Sequence, residues 1–327
     1  MAGLPAISLL RNIRSMKTLI LYHSKDLDGV LSGVIANYYI TSLASPNDII
    51  VHCGADYGDM LDIEYNGYRL SDFDKIYVID FSDDWLFRSE HNRKIIWIDH
   101  HISAFNKGYP VAQYFRNGVA ACRLTQQFFN NLNHDFLDVY DYVNRTDKVV
   151  EPLFVALAGE YDIWDESSVY ARPLNFGIRN ISFKSIDFLY REMKSVVAGV
   201  KNNPEDLEKH PYFNNFITIG NGVVDYIQGT SERLSGGVPF QLMGHSGVWF
   251  NTHIKSSLIH RLNNNEDFIM VWNDTGKPKL NVSFYSDKID ISKFAIHFGG
   301  GGHKGAAGCQ MERHILSAVV SNQYKYE

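Results

Sequence analysis

Cysteine is scarce. Cys53, Cys122 and Cys309 stand far apart in a chain of 327 residues and form no CxxC pair. Their spacing excludes a disulfide framework and a thiolate zinc site, and it implies a reducing compartment, so a cytoplasmic location is expected. Long apolar runs are missing too. None approaches the ~18 residues that a membrane span needs, so no membrane association is expected. Nor is there an excess of positive charge: Lys plus Arg number 31 against 37 Asp plus Glu, a formal net charge of −6. That balance argues against a protein that grips long duplexes by charge alone, and leaves short nucleic acids open as substrates.

What is present suits a globular protein, with 45% hydrophobic and 21% charged residues. At roughly 150 residues per domain, the length implies about two domains. Residues 1–15 carry Arg11 and Arg14 and no acid, and read as an N-terminal extension. The next stretch alternates apolar runs with helical spacing. Leu19–Tyr22, Ile49–Val51, Ile76–Ile79 and Ile95–Ile98 read as buried strands. Between Gly29 and Leu43, the residues Val30, Leu31, Val34, Ile35 and Tyr38 fall on one helix face. Strands of this kind separated by crossovers predict an α/β domain, a parallel sheet with helices on both faces, over residues 16–185. Between Gly118 and Ala158 the pattern is helical.

Residues 186–236 read as a connector, broken at Asn202-Asn203-Pro204 and ending in a helix from Val223 to Leu234. Residues 237–327 read as a smaller α+β module. Its predicted strands lie at Phe240–Met243, Phe268–Trp272 and Leu280–Phe284. Helices are predicted around Ser256–Leu262 and over Ile291–Phe298, and a final strand follows the glycines.

Four polar clusters stand at the ends of apolar runs in the larger domain: His23-Ser-Lys-Asp26-Leu-Asp28-Gly29, Asp80, Asp99-His100-His101 and Asp162. Carboxyl ends of strands in an open parallel sheet line its ligand crevice. The residue types suit hard divalent cations, Mn²⁺ first, with Mg²⁺ or Fe²⁺ as alternatives. Asp26, Asp28, Asp80 and Asp162 would carry four negative charges, which two such cations balance. Asp165, three residues beyond Asp162, is the alternative ligand. Asp83 and Asp84 read as helix-start acids. Six of the ten residues from Gly299 to Gly308 are Gly. Such a run can bring backbone amides close to an anion, with His303 and Lys304 as side-chain donors.

Together these motifs resemble the DHH phosphoesterase superfamily, in its members with a C-terminal DHHA1 module. The likeness covers residues 17–311. Among the members, the chain is most similar to stand-alone oligoribonucleases (nanoRNases) and to the branch with cyclic-nucleotide phosphodiesterases. The resemblance implies a two-metal phosphodiesterase that degrades short oligonucleotides 3′→5′ by metal-activated attack of water on phosphorus. His23, Asp26 and Asp80 would bind one ion, and Asp28, Asp80, His100 and Asp162 the other, with Asp80 bridging. Asp99 would support the cluster, and His101 would face the scissile phosphate. Gly300, Gly301, Gly302, His303 and Lys304 would hold the end of the substrate away from the metals.

The implied partners are short single-stranded RNA or DNA, or nucleotide phosphodiesters, and a monomer or a homodimer is expected. Alternatives are a pAp phosphatase or a cyclic (di)nucleotide phosphodiesterase, and, more distantly, a non-catalytic nucleic-acid-binding module. One departure stands out. The run Ser283-Phe284-Tyr285-Ser286 puts an aromatic near an expected Arg, so Tyr285 is either a base-stacking or a core residue. Arg123, Arg179 and Arg261 are equivalent candidates for phosphate contacts.

Overall fold

The structure is a computed structural model. It describes residues 15–56, 64–130, 152–164, 167–182, 211–234, 237–254, 266–274 and 276–325. The predicted extension, Asp165, Arg261, the Asn202–Pro204 break and the helix around Ser256–Leu262 all lie outside these residues or nearly so.

The first module is built on a five-stranded parallel sheet. Strands β1 (Lys17–His23), β2 (Ile49–Ala55), β5 (Lys75–Ile79), β6 (Ile95–Asp99) and β7 (Ala112–Phe115) lie in the order β2-β1-β5-β6-β7. A small hairpin, β3 (Glu64–Tyr65) and β4 (Tyr68–Arg69), stands apart. The four predicted strands are all found. The edge strand β7 is an addition, and its Ala-Gln-Tyr-Phe sequence carries no β-branched run to announce it.

Why the inner strands read as unbroken apolar runs is plain from their neighbours. Ile20, Tyr22, Tyr77, Ile79 and Ile98 face one core. Leu19, Leu21, Ile76, Val78, Ile95 and Trp97, one residue out of phase, face another. Burial on both faces removes the polar alternation of a half-exposed strand.

The first face is covered by α1 (Leu27–Leu43), α4 (Ala121–Asn130), α5 (Leu153–Asp162), α6 (Ala171–Ser182) and α7 (Pro211–Ser231). The second face is covered more thinly, by α2 (Asp84–Phe87), α3 (Ile102–Phe105) and loop residues such as Phe73 and Tyr109.

Helix α7 corrects the reading of the connector. It starts at Pro211 rather than Val223, and Phe213 and Phe216 enter the core of the first module. Its far end packs elsewhere: Ile227 and then Leu234 lie against Val248, Phe250 and Tyr285 of the second module. One helix therefore belongs to both cores.

The second module is a six-stranded sheet in the order β12-β13-β11-β10-β9-β8. Its strands are β8 (Val238–Leu242), β9 (His245–Asn251), β10 (Phe268–Asn273), β11 (Lys279–Tyr285), β12 (Gly301–Gly302) and β13 (Ala306–Glu312). All neighbouring pairs are antiparallel except β9–β10. One face packs on α8 (Ser292–His297) and α9 (Arg313–Val320). Toward the other face, Trp164 of the first module packs beside Ile269, Val271 and Tyr285. No described helix is long and apolar enough to cross a membrane.

The α6–α7 crossing rests on two glycines. A Cβ on Gly177 would strike the Phe216 carbonyl oxygen, and one on Gly220 the Pro173 carbonyl oxygen, whereas Gly222 faces open space. Gly→Ala in an unobstructed helix favours folding by roughly 0.5–1 kcal/mol. Gly222→Ala should therefore raise the urea midpoint. Gly177→Ala and Gly220→Ala should lower it, by about 1–3 kcal/mol of overpacking. Stabilisation by all three would show that the helices do not cross at this distance.

Candidate metal centre

Local folding rules place each cluster residue. Asp26 is the N-cap of α1, its Oδ1 accepting from the Gly29 amide at 3.0 Å. Asp28 stands in the first turn. Gly29 has no room for a side chain, because a Cβ there would meet the His23 carbonyl and lie 2.9 Å from Asp80 Oδ2. The Asp-x-Asp-Gly spacing is thus a helix start pressed against the end of β1. Asp80 follows β5 in the left-handed region, with φ 63°, and its amide donates to the Ile98 carbonyl at 2.9 Å. For a non-glycine residue that backbone costs of order 1–3 kcal/mol.

His100 is the hub. Its Nε2 lies 3.3 Å from Asp80 Oδ1, 3.4 Å from Asp162 Oδ2 and 3.6 Å from Asp28 Oδ2. His23 Nε2 lies 3.3 Å from Asp26 Oδ2 on the neighbouring side. Asp28, Asp80 and Asp162 thus gather on His100, and His23 pairs with Asp26. Asp80 Oδ1, Asp162 Oδ2 and both His100 ring nitrogens are buried with no hydrogen-bond partner. Buried polar atoms are ordinarily satisfied, so these orphans point to an absent group. Donors about 2.1 Å from one cation lie roughly 3.0–3.4 Å apart at octahedral or tetrahedral angles, so the spacing and the oxygen–imidazole chemistry fit a divalent metal. Burial and the neighbouring His101 hold the His100 imidazole down to about pKa 3, in the neutral form a ligand needs.

Two aspartates also have protein donors. Asp28 accepts the amides of Ala121 and Cys122, both at 2.8 Å, at the start of α4. A carboxylate at a helix N-terminus is well placed, and this one is fixed in orientation as well. Asp99 is close enough to His100, His101 and Asp80 to join a metal-binding group. Its oxygens are already filled, however. Oδ1 accepts from the His100 amide at 2.6 Å, the His101 amide at 3.1 Å and His101 Nδ1 at 2.8 Å, and Oδ2 accepts from Trp97 Nε1 at 3.1 Å. Asp99 is thus a support that orients His101. Burial pulls the His101 pKa down, but the Asp99 carboxylate outweighs it and leaves the imidazole at about 9.

The glycine run behaves differently from the sequence reading. The Gly299, Gly300 and His303 amides donate to the carbonyls of Ile296, Ala295 and Ala306, so they are not offered to an anion. Gly301 and Gly302 form the bridge of β12 to β13. The glycines serve close packing: a Cβ on Gly300 would strike the Gly308 carbonyl, and Gly302 has φ 139° with Ala307 Cα 2.6 Å from its Cβ position. What remains for a ligand is His303 and the exposed Lys304.

His303 is not a substrate's length away from the cluster. Its Nε2 lies 3.5 Å from Asp162 Oδ2, and its ring centroid 4.9 Å from that of His100 and 5.4 Å from that of His101. Nothing in the sequence signalled this placement, because it depends on how the second module docks.

The remaining candidates divide clearly. Asp83 caps α2, accepting from the Leu86 amide at 2.7 Å, and Asp84 pairs with Lys107 at 2.9 Å, so both are structural acids. Tyr285 is 7% exposed and meets Trp164 edge-on at 5.7 Å, which makes it a core residue between the modules. Arg179 lies over the Tyr161 ring at 5.8 Å, and Arg123 packs beside Gly159. Asp56 was not anticipated: it follows β2, with Oδ1 3.9 Å from His23 Nδ1 and Oδ2 3.7 Å from Lys25 Nζ.

Comparison with solved structures agrees with the two-module layout. An exopolyphosphatase-related protein from Bacteroides fragilis aligns over 94% of this chain and 91% of its own, at 16% identity and a TM-score of 0.51. A pGpG-specific phosphodiesterase from Vibrio cholerae (94% and 99%, 12% identity, TM-score 0.47) and the exonuclease RecJ bound to manganese (96% and 91%, 12% identity, TM-score 0.45) are further matches. No curated protein matches the chain. The family model of the DHHA1 domain matches residues 250–321, from the end of β9 to the end of α9, so the second module is similar to a DHHA1 domain over most of its length.

Proposed function

We propose that the protein is a metal-dependent phosphodiesterase acting on short single-stranded oligonucleotides or nucleotide phosphodiesters, in the manner of an oligoribonuclease. The observation that carries this reading is the convergence of Asp28, Asp80 and Asp162 on His100, at the carboxyl edge of a parallel sheet, under a DHHA1 domain. His23, Asp26 and Asp80 would hold one divalent cation, and Asp28, Asp80, His100 and Asp162 a second, Mn²⁺ by donor chemistry. Bound there, the cations would supply Lewis acidity at the phosphate and ease deprotonation of a water.

The protein's own groups do the rest. Asp99 occupies Nδ1 of His101, so the proton available for transfer sits on Nε2. A phosphate or leaving-group oxygen at that nitrogen would receive a charge-assisted hydrogen bond. His303 adds a second imidazole from across the module boundary. Its closeness to the cluster favours the small members of the substrate class: a dinucleotide, or alternatively pAp or a cyclic dinucleotide.

A panel of labelled RNAs of two to twenty-four nucleotides with pAp, cyclic dinucleotides and pyrophosphate, assayed with Mn²⁺, tests the reading. Fastest turnover of the shortest substrates is expected, and no turnover of any would refute it. Asp80→Ala should lower kcat/KM at least ~10³-fold, since a Lewis-acid contribution of several kcal/mol is lost. A variant retaining a tenth of the activity would show that Asp80 is not the bridge.

His303→Ala should reduce turnover of a dinucleotide and of a small chromogenic phosphodiester alike, because His303 stands at the cluster. A loss confined to oligonucleotides would instead place it at a distal anchor.

Charge gives a pH dependence. Burial first, then neighbouring carboxylates, push the Asp28 and Asp80 carboxyls well above the ordinary range. Folded, metal-free protein therefore keeps protons that the unfolded chain has released. The corresponding stability is greatest at low pH and is lost as pH rises through the raised values. Cations compete with those protons, so the rise in Tm that Mn²⁺ gives should grow with pH; at a hundredfold excess over Kd the whole stabilisation is worth about 2.7 kcal/mol. Calorimetry in buffers of different ionisation enthalpy should show proton release. A pH-independent shift would contradict this account.

A further inference from the structure

A cavity of about 270 Å³ lies between α5, the turn after it, α6 and α7, with residues on either side of Asp162 in the chain in its wall. Its walls include Glu160, Tyr161, Trp164, Ser168 and Arg172, and the four-fifths exposed Val169 stands at its mouth. None of these residues belongs to the metal cluster. Trp164 is the notable wall. It lies two residues past Asp162, so their Cα atoms are at most about 7.6 Å apart. Its backbone is left-handed, with φ 61°, a conformation uncommon for a bulky residue. The surroundings hold it there. Its ring meets Tyr285 at 5.7 Å, and a Cβ on Gly305 would lie 3.9 Å from its Cγ. The Tyr161 and Trp164 planes are within 28° of each other, with centroids 6.4 Å apart.

We propose that this cavity is a nucleobase site, in which the base of the nucleotide whose phosphate lies at the metal centre stacks on Trp164. The chemistry of the walls fits a planar heteroaromatic ring: two aromatic faces for stacking, a carboxylate and a guanidinium for its polar edges, and a hydroxyl. The volume suits one nucleoside, not a longer strand. The chain itself joins the two, since Tyr161 and Trp164 stand one residue before and two residues after Asp162. The proposal rests on the phosphodiesterase reading for the identity of the ligand, and it explains how a nucleotide substrate is told apart from phosphate esters that lack a base.

Binding tests it without turnover. Adenosine and guanosine 5′-monophosphate, with ribose 5-phosphate as the base-free control, are titrated into the full chain by calorimetry and by tryptophan fluorescence. The nucleotides should bind at least ~10-fold more tightly than ribose 5-phosphate, the size of one base-stacking contact. Trp164→Ala should erase that difference while leaving ribose 5-phosphate binding unchanged. Trp164→Phe, which keeps a ring and guards against a folding defect, should retain the selectivity but lose the nucleotide-dependent quenching. Equal binding of nucleotide and ribose 5-phosphate by the unaltered protein would overturn the proposal. So would undiminished nucleotide quenching in Trp164→Phe. Base-selective binding without hydrolysis of the RNA panel would keep the site and remove the phosphodiesterase reading. Hydrolysis without base selectivity would do the reverse.

Discussion

Crowding of buried negative charge around one neutral imidazole is the constraint on which the rest depends. Asp28 and Asp80 are 1% and 2% exposed, and Asp162 shares the same imidazole. Carboxylates so placed repel one another and lose hydration, which is costly unless something compensates. The fold compensates locally where it can. Asp28 is held on the first amides of α4, and Asp99 is surrounded by amide, indole and imidazole donors. Asp80 receives no such help at Oδ1, and it also bears an unfavourable backbone. The contrast separates Asp99, filled on both oxygens, from Asp80, whose Oδ1 stays open, a division that residue type alone does not make.

Much of this was legible in the sequence because it is local. Strands buried on both faces must be apolar throughout, so β1, β5 and β6 announced themselves, and each was followed by its polar motif. The Asp-x-Asp-Gly segment was legible for the same reason, since capping and the need for a glycine act within four residues.

What stayed hidden is long-range. The edge strand β7 lacks β-branched residues, and β9 and α9 were passed over. Helix α7 was begun too late, since its first turns are fixed by Phe213 and Phe216 entering a distant core. Four glycines in a row suggest an anion cradle, yet the Gly299 and Gly300 amides are spent on the preceding helix end, and Gly300 and Gly302 are small for close packing. The place of His303 against Asp162 depends on docking between modules, and no pattern within either module encodes it.

Helix α7 has a consequence for how the molecule comes apart. Its N-terminal half is buried with the first sheet and its C-terminal end with the second. Loosening either module therefore strips apolar cover from the other, so neither has a free-energy minimum wholly its own. The amides of α7 should exchange with solvent as one cooperative unit along with both sheets. The seat of His303 against Asp162 is thereby tied to the packing of both sheets through one helix.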